Sequence, residues 1–135
     1  MYQKVLVPLD GSDLAECALT HVQNMLAEGS VKEVTLLQVV GINRQDFFDK
    51  SKEYLEGVKS RLSPDPAKVK IASVYGNLAA DSIADYAQQN GMDIIIIATH
   101  GNTGLKKIVL GSVALKVLQT SPKPVLLIRP EACRD

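Results

Sequence analysis

Asp93-Ile94-Ile95-Ile96-Ile97-Ala98-Thr99-His100 runs straight into Gly101-Asn102-Thr103-Gly104-Leu105-Lys106-Lys107-Ile108-Val109-Leu110-Gly111-Ser112, and a helical pattern follows from Val113 to Thr120. The isoleucine run, Ile94 to Ala98, is apolar at every position. It therefore reads as a strand covered on both faces, the kind that parallel sheets contain. The glycines beyond it allow left-handed turns and close approach of the backbone to a ligand. Gly111-Ser112 then stands at a helix start, where unsatisfied N–H groups and the positive end of the helix dipole favour an anion. Two readings of the loop stand side by side at this point: a phosphate cradle, or a βα connection whose glycines only permit turns.

Working outward, strand and helix patterns alternate along the whole chain. Lys4 to Leu9 is a short apolar strand stopped by Pro8 and Asp10-Gly11-Ser12. Ser12 suits a helix N-cap. Leu14, Ala18, Val22 and Leu26 recur at four-residue spacing up to Gly29, which marks one helix. Val34 to Val40 is the second strand. Phe47, Ser51, Tyr54, Leu55, Val58 and Leu62 mark a second helix, weakened by Gly57 and broken by Ser63-Pro64-Asp65-Pro66. Val69 to Val74 is the third strand. Ala79, Ile83, Ala84 and Ala87 form the third helical face, with Asn77 expected as its cap and Gly91 as its stop. Val113, Val117 and Leu118 belong to the fourth helix, which Pro122 ends, and Pro124 to Ile128 is the fifth strand.

Short apolar strands joined by amphipathic helices imply an α/β fold, a doubly wound parallel sheet of five strands with helices on both faces. The expected strand order is 3-2-1-4-5, and the expectation is one domain over residues 1–135. In such sheets a ligand sits outside the carboxyl ends of the strands, where the order reverses. The loops after strands one and four would then share a crevice. Asp10 could accept hydrogen bonds from a sugar or base there, or serve only as a turn residue that caps the first helix.

Composition removes several classes of function. Fifteen basic residues balance fifteen acidic ones in 135, which gives no global electrostatic case for nucleic acid or an anionic membrane. No apolar run reaches membrane-spanning length and no signal-like segment opens the chain, so a cytoplasmic location is expected. Cys17 and Cys133 lie outside any CxxC spacing, and His21 and His100 stand in unrelated contexts, so no metal-ligand cluster is visible. A receiver domain would need an aspartate at the end of strand three, where Val74-Tyr75-Gly76 stands. The chain has no Trp, which speaks against a flavin carrier. An adenylating enzyme of related fold would want a glycine-rich loop after strand one, and only Asp10-Gly11-Ser12 is offered. No GxxxxGK[ST] motif is present.

Four stretches resemble the universal stress protein family: Lys4-Val5-Leu6-Val7-Pro8-Leu9-Asp10-Gly11-Ser12, Leu36-Leu37-Gln38-Val39, Asp93 through Gly101, and Gly111-Ser112-Val113-Ala114 with Pro122-Lys123-Pro124-Val125-Leu126-Leu127-Ile128. The likeness covers essentially the whole chain and is weakest from Gly41 to Ala67. Nucleotide-binding members of that family carry a glycine, two residues, a second glycine, nine residues, then Gly-Ser or Gly-Thr. Gly101, Gly111 and Ser112 match this spacing, while the first glycine falls on Ala98.

The resemblance implies an adenine nucleotide, ATP or a relative, bound with or without Mg2+. Pro8, Asp10 and Val39 would surround the adenosine. Ala98, Thr99, His100, Gly101, Gly104, Gly111, Ser112 and Val113 would make up the phosphate side. It implies a stress-response regulatory protein with slow ATP hydrolysis at most and no assigned catalytic or metal-binding residue. The alternative is a member that has lost the nucleotide and acts through dimer or partner contacts. Lys106 and Lys107 read as a solvated pair, and His100 as a loop residue whose backbone matters more than its ring. Strand five is expected at a sheet edge, unprotected by lysine within its run, and pairing with a second copy as a homodimer would cover it.

Overall fold

The computed structural model describes residues 2–62, 65–99 and 111–129. Five strands, β1 (Tyr2–Pro8), β2 (Val31–Val40), β3 (Val69–Tyr75), β4 (Ile94–Ala98) and β5 (Val125–Ile128), form one sheet in the order β3-β2-β1-β4-β5. Every pairing is parallel, with Val5 opposite Val34 on one side and Ile94 on the other. The helices are α1 (Asp13–Glu16), α2 (Ala18–Glu28), α3 (Gln45–Leu62), α4 (Ala79–Gln89) and α5 (Ser112–Thr120). The expected doubly wound α/β fold and its strand order are both present.

Strand alternation divides the core into two layers. Val5, Val7, Val34, Leu36, Val69, Ile94 and Ile96 face α2 and α3, where Val22, Leu26, Leu55 and Val58 meet them. Leu6, Leu37, Ile95 and Ile97 face α4 and α5, meeting Ile83, Ala87, Ala114 and Val117. Burying each aliphatic side chain completely contributes about 1.5–3 kcal/mol, and the central strands are buried on both faces. That is why the isoleucine run shows no period-two alternation.

Two local expectations are corrected. The first helix is not continuous: it is interrupted at Cys17, between α1 and α2. Cys17 keeps right-handed dihedrals (φ −56, ψ −29), so the interruption loosens the hydrogen-bond run without redirecting the chain. Gly29 does close α2, at φ +80, with its N–H bonded to Leu26 O and that of Ser30 to Met25 O. The N-cap of α4 is Leu78, not Asn77. The Asn77 side chain instead accepts a hydrogen bond from the Tyr75 hydroxyl at 3.1 Å. As expected, α3 runs through Gly57 and ends at Leu62.

These two environments set opposite expectations for two glycines. A Cβ at Gly57 would meet nothing within 4 Å, so Gly57→Ala should raise stability by about 0.5–1 kcal/mol through helix propensity. A Cβ at Gly76, directly after β3, would run into the Ser82 hydroxyl and approach the Ser82 Cβ to 3.1 Å. Gly76→Val should therefore cost about 1–3 kcal/mol. Urea midpoints of the two variants, displaced in opposite directions from wild type, check both.

Candidate functional site

β1 is the strand at which the winding reverses. The chain leaves it on one face of the sheet toward β2 and returns to its other edge as β4. The carboxyl ends of β1 and β4 therefore splay apart, and a cavity of about 120 Å3 opens in the fork. Pro8 and Asp10 border it from β1, Val39 from β2, Ala98 from β4, and Val113 from α5. Five of the expected site residues thus meet around one space.

The turn that carries Asp10 is built from local hydrogen bonds. Asp10 Oδ1 accepts from the Ser12 backbone N–H at 2.9 Å and from the Ser12 hydroxyl at 2.5 Å. Ser12 Oγ in turn accepts from the Ala15 N–H at 3.1 Å, which caps α1 as the sequence suggested. Gly11 between them has φ +89, a conformation that L side chains rarely adopt. The turn role of Asp10 is therefore real, and it occupies only one carboxylate oxygen, since Oδ2 takes no part in these bonds. Asp10 is exposed and free of tertiary ion pairs among the described residues.

On the other side of the fork, Gly111 is the N-cap of α5 and provides no side-chain cap. The first intrahelical bond recorded there is from Leu115 N to Gly111 O. The amides of Ser112, Val113 and Ala114 precede it, and their dipole end borders the cavity through Val113 and Ala114. Gly111 sits at φ −63, ψ 155, an extended conformation open to any residue. Its glycine is thus not required by a left-handed turn, and what remains is the space a missing side chain leaves beside the helix start.

Thr99 is buried at the end of β4. Its N–H donates to Ile128 O at 2.9 Å and its hydroxyl lies 3.4 Å from the same oxygen, so both groups tie β4 to β5. Ser112 is exposed and does not border the cavity. His100, Gly101, Gly104, Lys106 and Lys107 lie outside the described residues.

Sequence reasoning missed part of the lining. Leu9, Ser12, Ala15, Leu37, Ala79, Ile83, Ile97 and Ala114 also border the cavity. Ala79 and Ile83 were legible only as a helix face turned to the core, because a four-residue period does not say where the core ends and a cavity begins. Asp10 and Ser12 bring the polar side chains, and the remaining walls are aliphatic or proline. Such a space suits a flat, weakly polar group with its polar appendages directed outward. Among the described residues no three His, Cys, Asp or Glu side chains cluster as metal ligands, and no helix is long and apolar enough to cross a membrane.

Comparison with known proteins agrees with this architecture. Residues 1–129 match the universal stress protein family. Universal stress protein MJ0577 of Methanocaldococcus jannaschii is 34% identical over 156 residues, covering 96% of each chain. The solved structure of MJ0577 superposes with a TM-score of 0.80, again covering 96% of each chain. An Archaeoglobus fulgidus universal stress protein solved with dAMP has 23% identity and a TM-score of 0.73, covering 94% of this chain and 98% of that one. A universal stress protein solved in complex with cAMP has 23% identity and a TM-score of 0.68, with 95% of this chain and 97% of that one covered. The sheet order, the fork and the extent of these matches agree: the chain belongs to the universal stress protein family.

Proposed function

We propose that this protein is a cytoplasmic regulatory protein of the stress response that binds an adenine nucleotide in the β1/β4 fork. The observation that carries the reading is the pairing, around one cavity, of aliphatic walls and a carboxylate turn with the uncapped start of α5. The adenosine would lie between Pro8 and Val39, within reach of Asp10. The phosphates would extend toward Gly111, Ser112 and Val113, where the α5 amides and dipole favour negative charge. By the family resemblance, Thr99 and, outside the described residues, His100, Gly101 and Gly104 would belong to the phosphate side as well. The dAMP and cAMP bound by two relatives of the same fold support the choice of an adenine nucleotide.

A magnesium ion would be held mainly by the phosphates, with Asp10 the one carboxylate among the described residues that line the cavity. Regulation by occupancy, rather than turnover, is the function assigned here. Ala98 replaces the first glycine of the family's nucleotide motif, and its methyl borders the cavity. A member that has given up the ligand is therefore the second reading.

Mass spectrometry of small molecules released from the purified, denatured protein separates the two, and a co-purifying adenine nucleotide is the expected result. Calorimetry with ATP should then show that Ala98→Gly binds equally or more tightly. Ala79→Phe, which fills the cavity from the first turn of α4, should weaken binding at least about tenfold with the melting temperature near wild type. Equal affinity in Ala79→Phe would remove the nucleotide from this cavity.

The same reading includes a homodimer through β5. Leu126 is 39% exposed on that edge strand, whereas Leu127 packs into the layer beneath α4 and α5. Leu126→Lys should shift the protein to monomer in analytical ultracentrifugation at micromolar concentration while leaving it folded. Leu127→Lys should instead lower the melting temperature, because it places a charge against the core. A wild type that sediments as a monomer overturns the dimer.

A further inference from the structure

The turn that presents Asp10 is held from outside the site. It leads directly into α1, four residues long. A helix that short has no stability of its own, because nucleation is unfavourable and few intrahelical bonds offset it. Its recorded backbone bond, Glu16 N to Ser12 O, is 3.2 Å long. The far end of α1 is gripped by α3 instead. The Tyr54 hydroxyl donates to Glu16 Oε2 at 2.9 Å, and an Arg61 guanidinium nitrogen donates to Glu16 Oε1 at 2.9 Å. Tyr54 and Arg61 lie two turns apart on one face of α3, so both oxygens of a single carboxylate are taken by one helix.

The bonds then run without a gap. Glu16 terminates α1, Ser12 begins it, and Ser12 is bonded to Asp10. Tyr54 does not border the fork cavity, so it acts on the site through the turn, by way of Glu16 and by its contact with the Gly11 backbone.

The environment of the Tyr54 hydroxyl agrees. Burial pushes its pKa well above the usual tyrosine value, and Glu16 adds to the effect through its hydrogen bond and charge. The Asp10 charge raises it further, and the Gly11 backbone acts in the opposite direction, so the hydroxyl senses the turn itself. It stays a protonated donor. The two bonds to Glu16 differ in shelter: the Tyr54 bond is partly buried, while the Arg61 side chain is 63% exposed. Exposed ion pairs contribute little, so the tyrosine is the stronger hold.

We propose that Tyr54 is a positioning residue for the nucleoside, acting through Glu16 and α1 to fix the Asp10-Gly11-Ser12 turn at the rim of the fork. The proposal rests on the adenine-nucleotide reading above. It concerns the adenosine end of the ligand and not the phosphate end, which lies against α5.

The test compares wild type, Tyr54→Phe, Glu16→Gln and the double variant by calorimetry with ATP and with adenosine, and by amide hydrogen exchange. Tyr54→Phe keeps the ring and removes only the donor. It should weaken ATP and adenosine by the same factor, about tenfold. The double variant should be no weaker than the poorer single one, as expected for residues acting in one chain. Exchange at the Gly11 and Ser12 amides should accelerate, with that at Ile95 and Ile96 unchanged. Wild-type affinity in Tyr54→Phe overturns the proposal and leaves the nucleotide reading intact. So does a loss for ATP with none for adenosine, or faster exchange at Ile95 and Ile96 to the same degree, which marks general destabilisation. Failure of wild type to bind either ligand overturns the nucleotide reading and this inference with it.

Discussion

β1 has no free face and no free edge. Val5, Leu6 and Val7 are wholly buried, with β2 hydrogen-bonded on one side and β4 on the other. A parallel strand enclosed in this way forces its connections to cross over opposite faces of the sheet, each in the right-handed sense. The crossover through α1 and α2 therefore lies on one face and the arrival at β4 comes from α4 on the other. The fork between the ends of β1 and β4 is the geometric remainder of that arrangement. The cavity, the turn at its rim and the helix start across from it all follow from where β1 sits.

The fork divides two kinds of recognition between two elements. Its walls are aliphatic, drawn from strands and from α4, and they offer area without direction. Direction comes from its edges: a carboxylate held by a two-residue turn on one side, and backbone amides at a helix start on the other. Backbone donors at α5 need no side chain, so their position depends on the packing of Ala114 and Val117 against the sheet. Small residues at those points let the helix lie close to β4 and β5.

Much of this was legible in the sequence because the physics was local or periodic. The isoleucine run marked a doubly covered strand, and Asp10-Gly11-Ser12 marked a turn into a helix. Ala98, Val39 and Val113 were implied only by the family resemblance, and all three border the fork. What was not legible depended on which of several possible partners a side chain takes, and most often on contacts between distant segments. The cap of α4 moved from Asn77 to Leu78 because the Asn77 side chain found Tyr75 instead. Thr99 turned to Ile128, a partner 29 residues away that no spacing rule identifies. Tyr54 and Arg61 looked like members of an amphipathic helix, and only the tertiary fold brought them to Glu16. Gly111 matched a motif by position, yet its backbone angles are ordinary, so the motif preserved a small side chain and not a special turn.

The two outer margins of the sheet are chemically unlike. β3 shows Lys70 to solvent, ion-paired to Glu33 at 3.4 Å, whereas β5 shows Leu126. Contact between unlike margins, β5 of one copy against β3 of the next, would repeat without end and give a fibre. The lysine on β3 disfavours that union, because a charge set into a strand junction loses its water. Under the proposed pairing of β5 with its mate, growth by sheet extension would proceed from one side alone, and a structure that adds on one side only stops at two. In that assembly the asymmetry would act as a chain terminator in a molecule whose interior is otherwise rich in strand-forming residues.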